Sequence, residues 1–136
     1  MEKTMKRCII LRGIPGSGKS TKARELAGST GKIHSTDDYF EVDGEYRFNP
    51  KMLGRNHELN FKAFKVSLAL GIDPVVVDNT NIRLWEFQKY EAAAAEAGYQ
   101  VEIVKVPHVD PKLAAERNTH GVPEHAIRRM LARWED

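Results

Sequence analysis

Arg7-Cys8-Ile9-Ile10-Leu11-Arg12 runs directly into Gly13-Ile14-Pro15-Gly16-Ser17-Gly18-Lys19-Ser20, and the stretch from Thr21 to Ala27 follows with helical spacing. The middle octet is a full match to the phosphate-binding pattern G-x-x-x-x-G-K-[ST]. Its glycines let successive backbone N–H groups turn inward around a polyphosphate, a space that bulky side chains would fill. Lys19 then reaches the β- and γ-phosphate oxygens, and the Ser20 hydroxyl is placed to ligate Mg²⁺. The apolar strand before the loop and the helix after it supply the context the pattern needs, and the helix dipole adds to the anion site. Gly13, Pro15, Gly16, Ser17, Gly18, Lys19, Ser20 and Thr21 are therefore the expected nucleotide-binding residues, with a nucleoside triphosphate as ligand.

The rest of the chain narrows the class. Its 136 residues, 41% hydrophobic and 29% charged, are enough for one domain, 1–136, with a core that needs no staples. No apolar run approaches the roughly 20 residues that span a bilayer, so no membrane association is expected, and Met1 to Lys6 lacks the apolar segment of a secretory signal. The single cysteine, Cys8, reads as a buried small hydrophobe in the central strand, and a cytoplasmic setting is expected. A net charge of +2 does not by itself announce nucleic acid. Lys3, Lys6, Arg7, Arg12, Lys19, Lys22 and Arg24 nevertheless crowd the first 24 residues against Glu2 alone, a basic rim that suits a polyanion.

Strand and helix signals alternate along the chain. Ile33 to Thr36 reads as a second strand, and Glu41 to Phe48 as a surface loop or small hairpin turning at Asp43-Gly44. Asn49-Pro50 caps and starts a helix that runs to about Leu70 and stops at Gly71. Pro74-Val75-Val76-Val77-Asp78 is a continuous apolar strand of the kind covered on both faces. A helix from about Ile82 to Ala97 closes at Gly98, and Val101 to Val106 alternates as a strand nearer the sheet edge does. Asp110-Pro111 opens a short helix, His120-Gly121 breaks it, and Pro123 opens a last one to about Trp134. The pattern predicts an α/β, three-layer fold: a parallel sheet of about four strands, helices on both faces and a short helical lid. Ligands of such sheets sit beyond the carboxyl ends of the strands, so the phosphate loop, Asp37-Asp38 and Asp78 to Asn81 are expected at one rim.

Phosphoryl transfer asks the protein to align an acceptor oxygen, hold Mg²⁺ and spread negative charge. Asp37 or Asp38 can accept the proton of an acceptor hydroxyl while the other caps the short helix at Tyr39-Phe40; Asp37 is favoured as base. Asp78 has the placement of a metal-associated aspartate, beside Ser20. Thr80 and Asn81 cap the next helix or touch the acceptor. His57 and Asn60 share a helix face. Arg117, Arg128, Arg129 and Arg133 flank the break between the last two helices, where at most two are expected to close on a triphosphate. His120 and His125 lack the companions of a zinc site. Trp85, Trp134, Phe61 and Phe64 read as core or core-edge packing.

Taken in order, GIPGSGKST, Ser35-Thr36-Asp37-Asp38-Tyr39-Phe40, Val77-Asp78-Asn79-Thr80-Asn81, Glu116-Arg117-Asn118 and His120-Gly121-Val122-Pro123 resemble the P-loop kinases of the polynucleotide 5′-hydroxyl kinase family. The resemblance is strongest to the kinase-like modules of NEDD-type ubiquitin-ligase-binding proteins and covers Cys8 to about Glu135. It implies ATP- and Mg²⁺-dependent phosphorylation of nucleic-acid 5′ ends, with Asp37 as general base, Lys19 and Ser20 on phosphate and Mg²⁺, and Arg117 as lid arginine. One departure is plain: Phe40 stands where the phage-type enzymes carry an acceptor-holding arginine. Arg47, Arg55 or Arg83 is the expected substitute, and Asp38 is a further expected acceptor-binding residue. A second is length, from which a missing fifth strand and an abbreviated adenine pocket are expected. Two other readings stay open: a kinase for a small metabolite or nucleoside, and a non-catalytic ATP-binding interaction module. GTPase switching is disfavoured, since Asp78 to Asn81 lacks the D-x-x-G glycine and no N-K-x-D segment occurs.

Overall fold

The structure is a computed structural model that describes residues 5–136; part of the Met1 to Lys6 stretch, including Lys3 of the basic cluster, lies outside the described residues. Every strand of the main sheet is laid against β1 (Arg7–Arg12) or its neighbour. From Cys8 to Leu11 this strand has no exposed surface. Its side chains alternate between faces, as the strand period requires: Cys8 and Ile10 enter one apolar cluster, Ile9 and Leu11 another. Burial also pushes the Cys8 thiol pKa up to about 12, so the group stays protonated.

The sheet has four parallel strands in the order β2 (Lys32–His34), β5 (Val75–Asp78), β1, β6 (Gln100–Lys105). Leu11 pairs with Asp78 and His34 with Val77, so β1, β5 and β2 end at one rim. α2 (Leu53–Ala69) and α3 (Trp85–Glu96) cover one face, burying Phe64, Leu68, Phe87, Tyr90 and Ala94 against Cys8, Ile10, Val75 and Val77. α1 (Lys19–Ala27) covers the other with Ala23 and Ala27 on Ile9, Leu11 and Val76. α4 (Pro111–Arg117) and α5 (Glu124–Ala132) form a third, smaller cluster, in which Ala114 and Ile127 close over Ile14 of the phosphate loop. The expected three layers and helical lid are present, with β6 at an edge.

Several boundaries move for local reasons. The second strand stops at His34 because Thr36–Phe40 coils into a 3-10 turn. Asp43 and Gly44, both at positive φ, turn a two-residue hairpin of β3 (Glu41–Val42) and β4 (Glu45–Tyr46). Asn49 caps as expected, accepting from the Lys51 amide, but a 3-10 turn over Pro50–Met52 precedes α2. The helix expected from Ile82 begins at Trp85, since Asn81 is left-handed (φ 49°) and Ile82 donates to the Glu86 carboxylate instead of a helical carbonyl. That displacement leaves Trp85 on the outer side of the first turn, 69% exposed, against the core or core-edge packing expected of it. Arg12 is also not part of a basic rim. It is buried, donates to the carbonyls of Asn81, Ile82 and Glu135, and lies over the rings of Phe87 and Trp134.

At the carboxyl end of β2, His34 is 4% exposed, bonds Ser67 Oγ at 2.8 Å and sits edge-on to Phe64. Burial, helped by the charge of Lys32, lowers its pKa from 6.5 to about 4. The unfolded chain therefore takes up this proton near pH 6.5 while the folded chain resists until about pH 4, and stability falls as pH drops through that window. His57 and His108, also lowered by burial, add to the same slope. Urea denaturation between pH 7 and pH 4 is expected to show a loss of the order of 3 kcal/mol from this one group, and His34→Leu is expected to flatten that share of the slope.

Candidate active site

The phosphate loop leaves β1 with two internal ties, Gly13 N to Thr80 O at 3.0 Å and Ser17 N to Ile14 O at 3.2 Å. The amides of Gly16, Gly18, Lys19 and Ser20 find no acceptor among the described residues. Two of these are first-turn donors of α1, orphans of any helix start. Left-handed backbone at Gly16 (φ 80°) and Gly18 (φ 94°) bends the loop into its concave course. A Cβ at Gly16 would fall inside the Ala114 carbonyl group, so loop and lid helix meet backbone to backbone. The buried Ser17 Oγ also lacks a partner. A cradle of unbonded donors with a positive helix end fits a phosphate chain.

Asp78, at the end of β5 and 6% exposed, accepts from Lys19 Nζ at 2.8 Å and from Ser20 Oγ at 3.1 Å. Predicted phosphate ligand, predicted metal ligand and predicted aspartate are thus in one hydrogen-bonded group. Asn79 Oδ1 accepts from the Thr36 amide and Asn81 Nδ2 donates to Leu11 O, so this segment stitches three strand ends together. Neither of the two roles expected for Asn81, helix cap or acceptor contact, is what its buried side chain does.

Asp37 and Asp38 sit in the 3-10 turn, and neither caps it. Asp37 Oδ1 accepts from Tyr46 Oη at 3.3 Å, and Oδ2 lies 3.2 Å from His120 Nδ1. Tyr46 and His120 stack at 4.1 Å with their planes 23° apart. Burial, then the Asp37 charge and hydrogen bond, push the Tyr46 hydroxyl pKa well up. Asp38 makes no such bonds; partial burial, then the charges of Glu41, Asp78 and Asp37, raise its pKa against the opposing charge of Lys32. Tyr46 and His120 carry no motif that marks them as partners of Asp37. The hairpin and the α4–α5 turn bring them in from far along the chain.

Two clefts flank this centre. The first, about 480 Å³, lies between Gly18 with α1 (Thr21, Lys22, Glu25) and the exit of β6 (Val104 to Pro107), with Arg117 on its wall. Arg117 is exposed and pairs with no carboxylate among the described residues. The second, about 510 Å³, runs from Tyr39 and Phe40 along the hairpin to α2, past Val42, Arg47, Phe48 and Arg55, with no carboxylate in its lining. Tyr39 and Phe48 are 37% and 53% exposed there. Arg47 also holds Glu45 at 3.0 Å. Arg83 does not join the expected acceptor set: Glu135 Oε1 takes its Nε at 2.9 Å and the Leu84 amide as well, fastening the C-terminal residues to the start of α3. His57 bonds Thr36, and the fully buried Asn60 donates to Tyr90, so that helix face is structural. Among the described residues no group of three or more His, Cys, Asp or Glu side chains is arranged to hold a metal.

Comparison with known proteins sets this arrangement in context. Residues 8–136 match the family described as AAA domain. Human NEDD4-binding protein 2 is 41% identical over 133 residues, which span 93% of this chain and 8% of that protein. A chain in the structure of the Pnkp1/Rnl/Hen1 RNA repair complex superposes with a TM-score of 0.75 at 20% identity, covering 97% of this chain and 45% of that one. A gluconokinase from Sinorhizobium meliloti 1021 superposes at 0.64, also at 20% identity, over 98% of this chain and 78% of its own. These likenesses show a P-loop kinase-like α/β fold.

The bare contact between Gly16 and α4 makes a graded test. Gly16→Ala meets both a left-handed backbone and the Ala114 carbonyl, whereas Gly18→Ala has nothing within 4 Å and meets only the backbone penalty, about 1–2 kcal/mol. Thermal melts are expected to fall by several degrees for Gly18→Ala and by clearly more for Gly16→Ala.

Proposed function

We propose that this chain, which belongs to the AAA domain family, transfers the γ-phosphoryl group of ATP to the 5′-hydroxyl of a polynucleotide, residues 1–136 acting as a single cytoplasmic kinase domain. Supporting the reading are two features: a cradle of unbonded amides in the phosphate loop, and a cleft of exposed aromatic rings and arginines without a carboxylate that begins at Tyr39, next to Asp37-Asp38 in the chain. The triphosphate lies along Gly13 to Thr21, with Lys19 leaving Asp78 for the β- and γ-phosphates. Ser20 and Asp78, oxygen ligands already in contact, are the residues that would hold Mg²⁺, a cation that takes few protein ligands beside phosphate. When bound, that ion supplies neutralising charge at the terminal phosphates. Asp37 accepts the proton of the attacking hydroxyl, a late event for which an ordinary carboxylate is adequate. Arg117, on the wall of the nucleotide-side cleft, draws charge off the migrating group.

The acceptor class follows from the second cleft. Rings of Tyr39 and Phe48 offer stacking faces that tolerate any base, and Arg47 and Arg55 offer planar donors for backbone phosphates. Asp38, in the same turn as Asp37 and Tyr39, is assigned to the acceptor with them. A sugar-sized acceptor would leave most of this cleft unused. A kinase for a small metabolite is the second reading, favoured by a gluconokinase that superposes over 98% of this chain, at a TM-score of 0.64 against 0.75 for the RNA repair chain.

Two measurements check the proposal. Labelled ATP offered with 5′-hydroxyl DNA, 5′-hydroxyl RNA, nucleosides and sugars is expected to label the oligonucleotides best. Asp37→Asn is expected to lower that transfer about 10²–10⁴-fold while ATP binding persists, and Lys19→Ala to weaken both. Loss in Asp38→Asn with full activity in Asp37→Asn would move the base role to Asp38, and preferential labelling of sugars would favour the second reading. Separately, Phe48→Ala and Arg55→Ala are each expected to raise KM for an oligonucleotide about tenfold, the worth of one stacked base or one lost phosphate contact, with KM for ATP unchanged.

A further inference from the structure

The turn that leaves α4 carries Arg117 to the nucleotide-side cleft and, three residues on, His120 to Asp37. Between them Asn118 gives the turn its shape. Its Nδ2 donates to Ala114, Ala115 and Val122 carbonyls at 3.0, 3.2 and 2.9 Å, and its Oδ1 accepts from the amides of His120 and Val122 at 3.2 and 2.9 Å. One side chain bonded to four residues leaves the turn little freedom, so Arg117 and His120 move together. Ala114 and Ile127 in turn pack on Ile14 of the phosphate loop. The segment therefore touches both halves of the site.

The Tyr46 hydroxyl donates to Asp37 Oδ1, and His120 Nδ1 stands 3.2 Å from Oδ2, within reach to donate when the ring proton is on that nitrogen. Each Asp37 oxygen thus lies against a different ring, and the two rings stack on each other. Each oxygen keeps a further lone pair for an acceptor proton. Without His120, the carboxylate would be held only by Tyr46, through a bond of 3.3 Å. We propose that His120 is a positioning residue for Asp37, and that through it the seating of the α4–α5 turn over the nucleotide sets the aim of the carboxylate at the acceptor hydroxyl. The inference rests on Asp37 being the base.

The test combines kinetics with a spectrum that needs no turnover. His120→Ala is expected to lower kcat by 10- to 100-fold, the scale of a misaimed group, with KM for ATP within twofold. His120→Asn, whose amide nitrogen can stand near the place of Nδ1, is expected to recover most of that loss. In ¹⁵N-labelled protein the His120 ring is expected to show a protonated Nδ1 that changes in Asp37→Ala, and to change again when a non-hydrolysable ATP analogue seats the turn. A His120 spectrum indifferent to Asp37→Ala would overturn the pairing whatever the reaction proves to be. With the pairing present and Asp37→Asn inactive, a kcat for His120→Ala within twofold of the parent would overturn the positioning role and leave the kinase reading intact. Full transfer by Asp37→Asn would remove the base and the positioning role together, a result told apart from loss of the pairing by the intact spectrum.

Discussion

Asp78 is the interaction on which the site is organised. Its carboxylate, almost wholly out of water, is shared by an ammonium and a hydroxyl from the first turn of α1. A charge buried this deeply is costly unless it is paired and hydrogen-bonded, and removing one partner of such a pair typically costs about 3–5 kcal/mol. Because Asp78 ends β5 while Lys19 and Ser20 follow β1, the pair also locks the two central strands and the loop in one register. It also fixes the Lys19 ammonium and the Ser20 hydroxyl on one carboxylate at the start of α1.

Much of this was legible before any coordinates. The phosphate loop depends on local backbone needs, glycine where φ is positive and an apolar strand before it, and those needs are written in consecutive residues. Asp78 followed from its place at the end of Val75-Val76-Val77, since parallel strands deliver their last residues to one rim. Cys8, Phe64, the hairpin at Asp43-Gly44 and the helix stops at Gly71 and Gly98 were likewise readable from short windows.

What stayed hidden depends on packing between distant segments. The stacking of Tyr46 on His120 joins residues 74 positions apart, and nothing in either neighbourhood marks it. Arg12 looks like rim charge in sequence, yet carbonyls that bend toward it from Asn81, Ile82 and Glu135 draw it inward. Arg83, expected at the acceptor, was within reach of Glu135 only once the last residues had folded back. Trp85 misled because its hydrophobicity was weighed without the late start of α3. In each case a long side chain had several plausible partners, and tertiary geometry chose among them.

The backbone contact between Gly16 and Ala114 has a mechanical consequence. Most lids rest on their sites through flexible side chains, which absorb small tilts as rotamer changes. Here peptide group meets peptide group, and tightly packed matter of this kind shifts as a body. The seating of α4 and the course of the loop at Gly16 are therefore one constraint: neither can shift at that point without displacing the other.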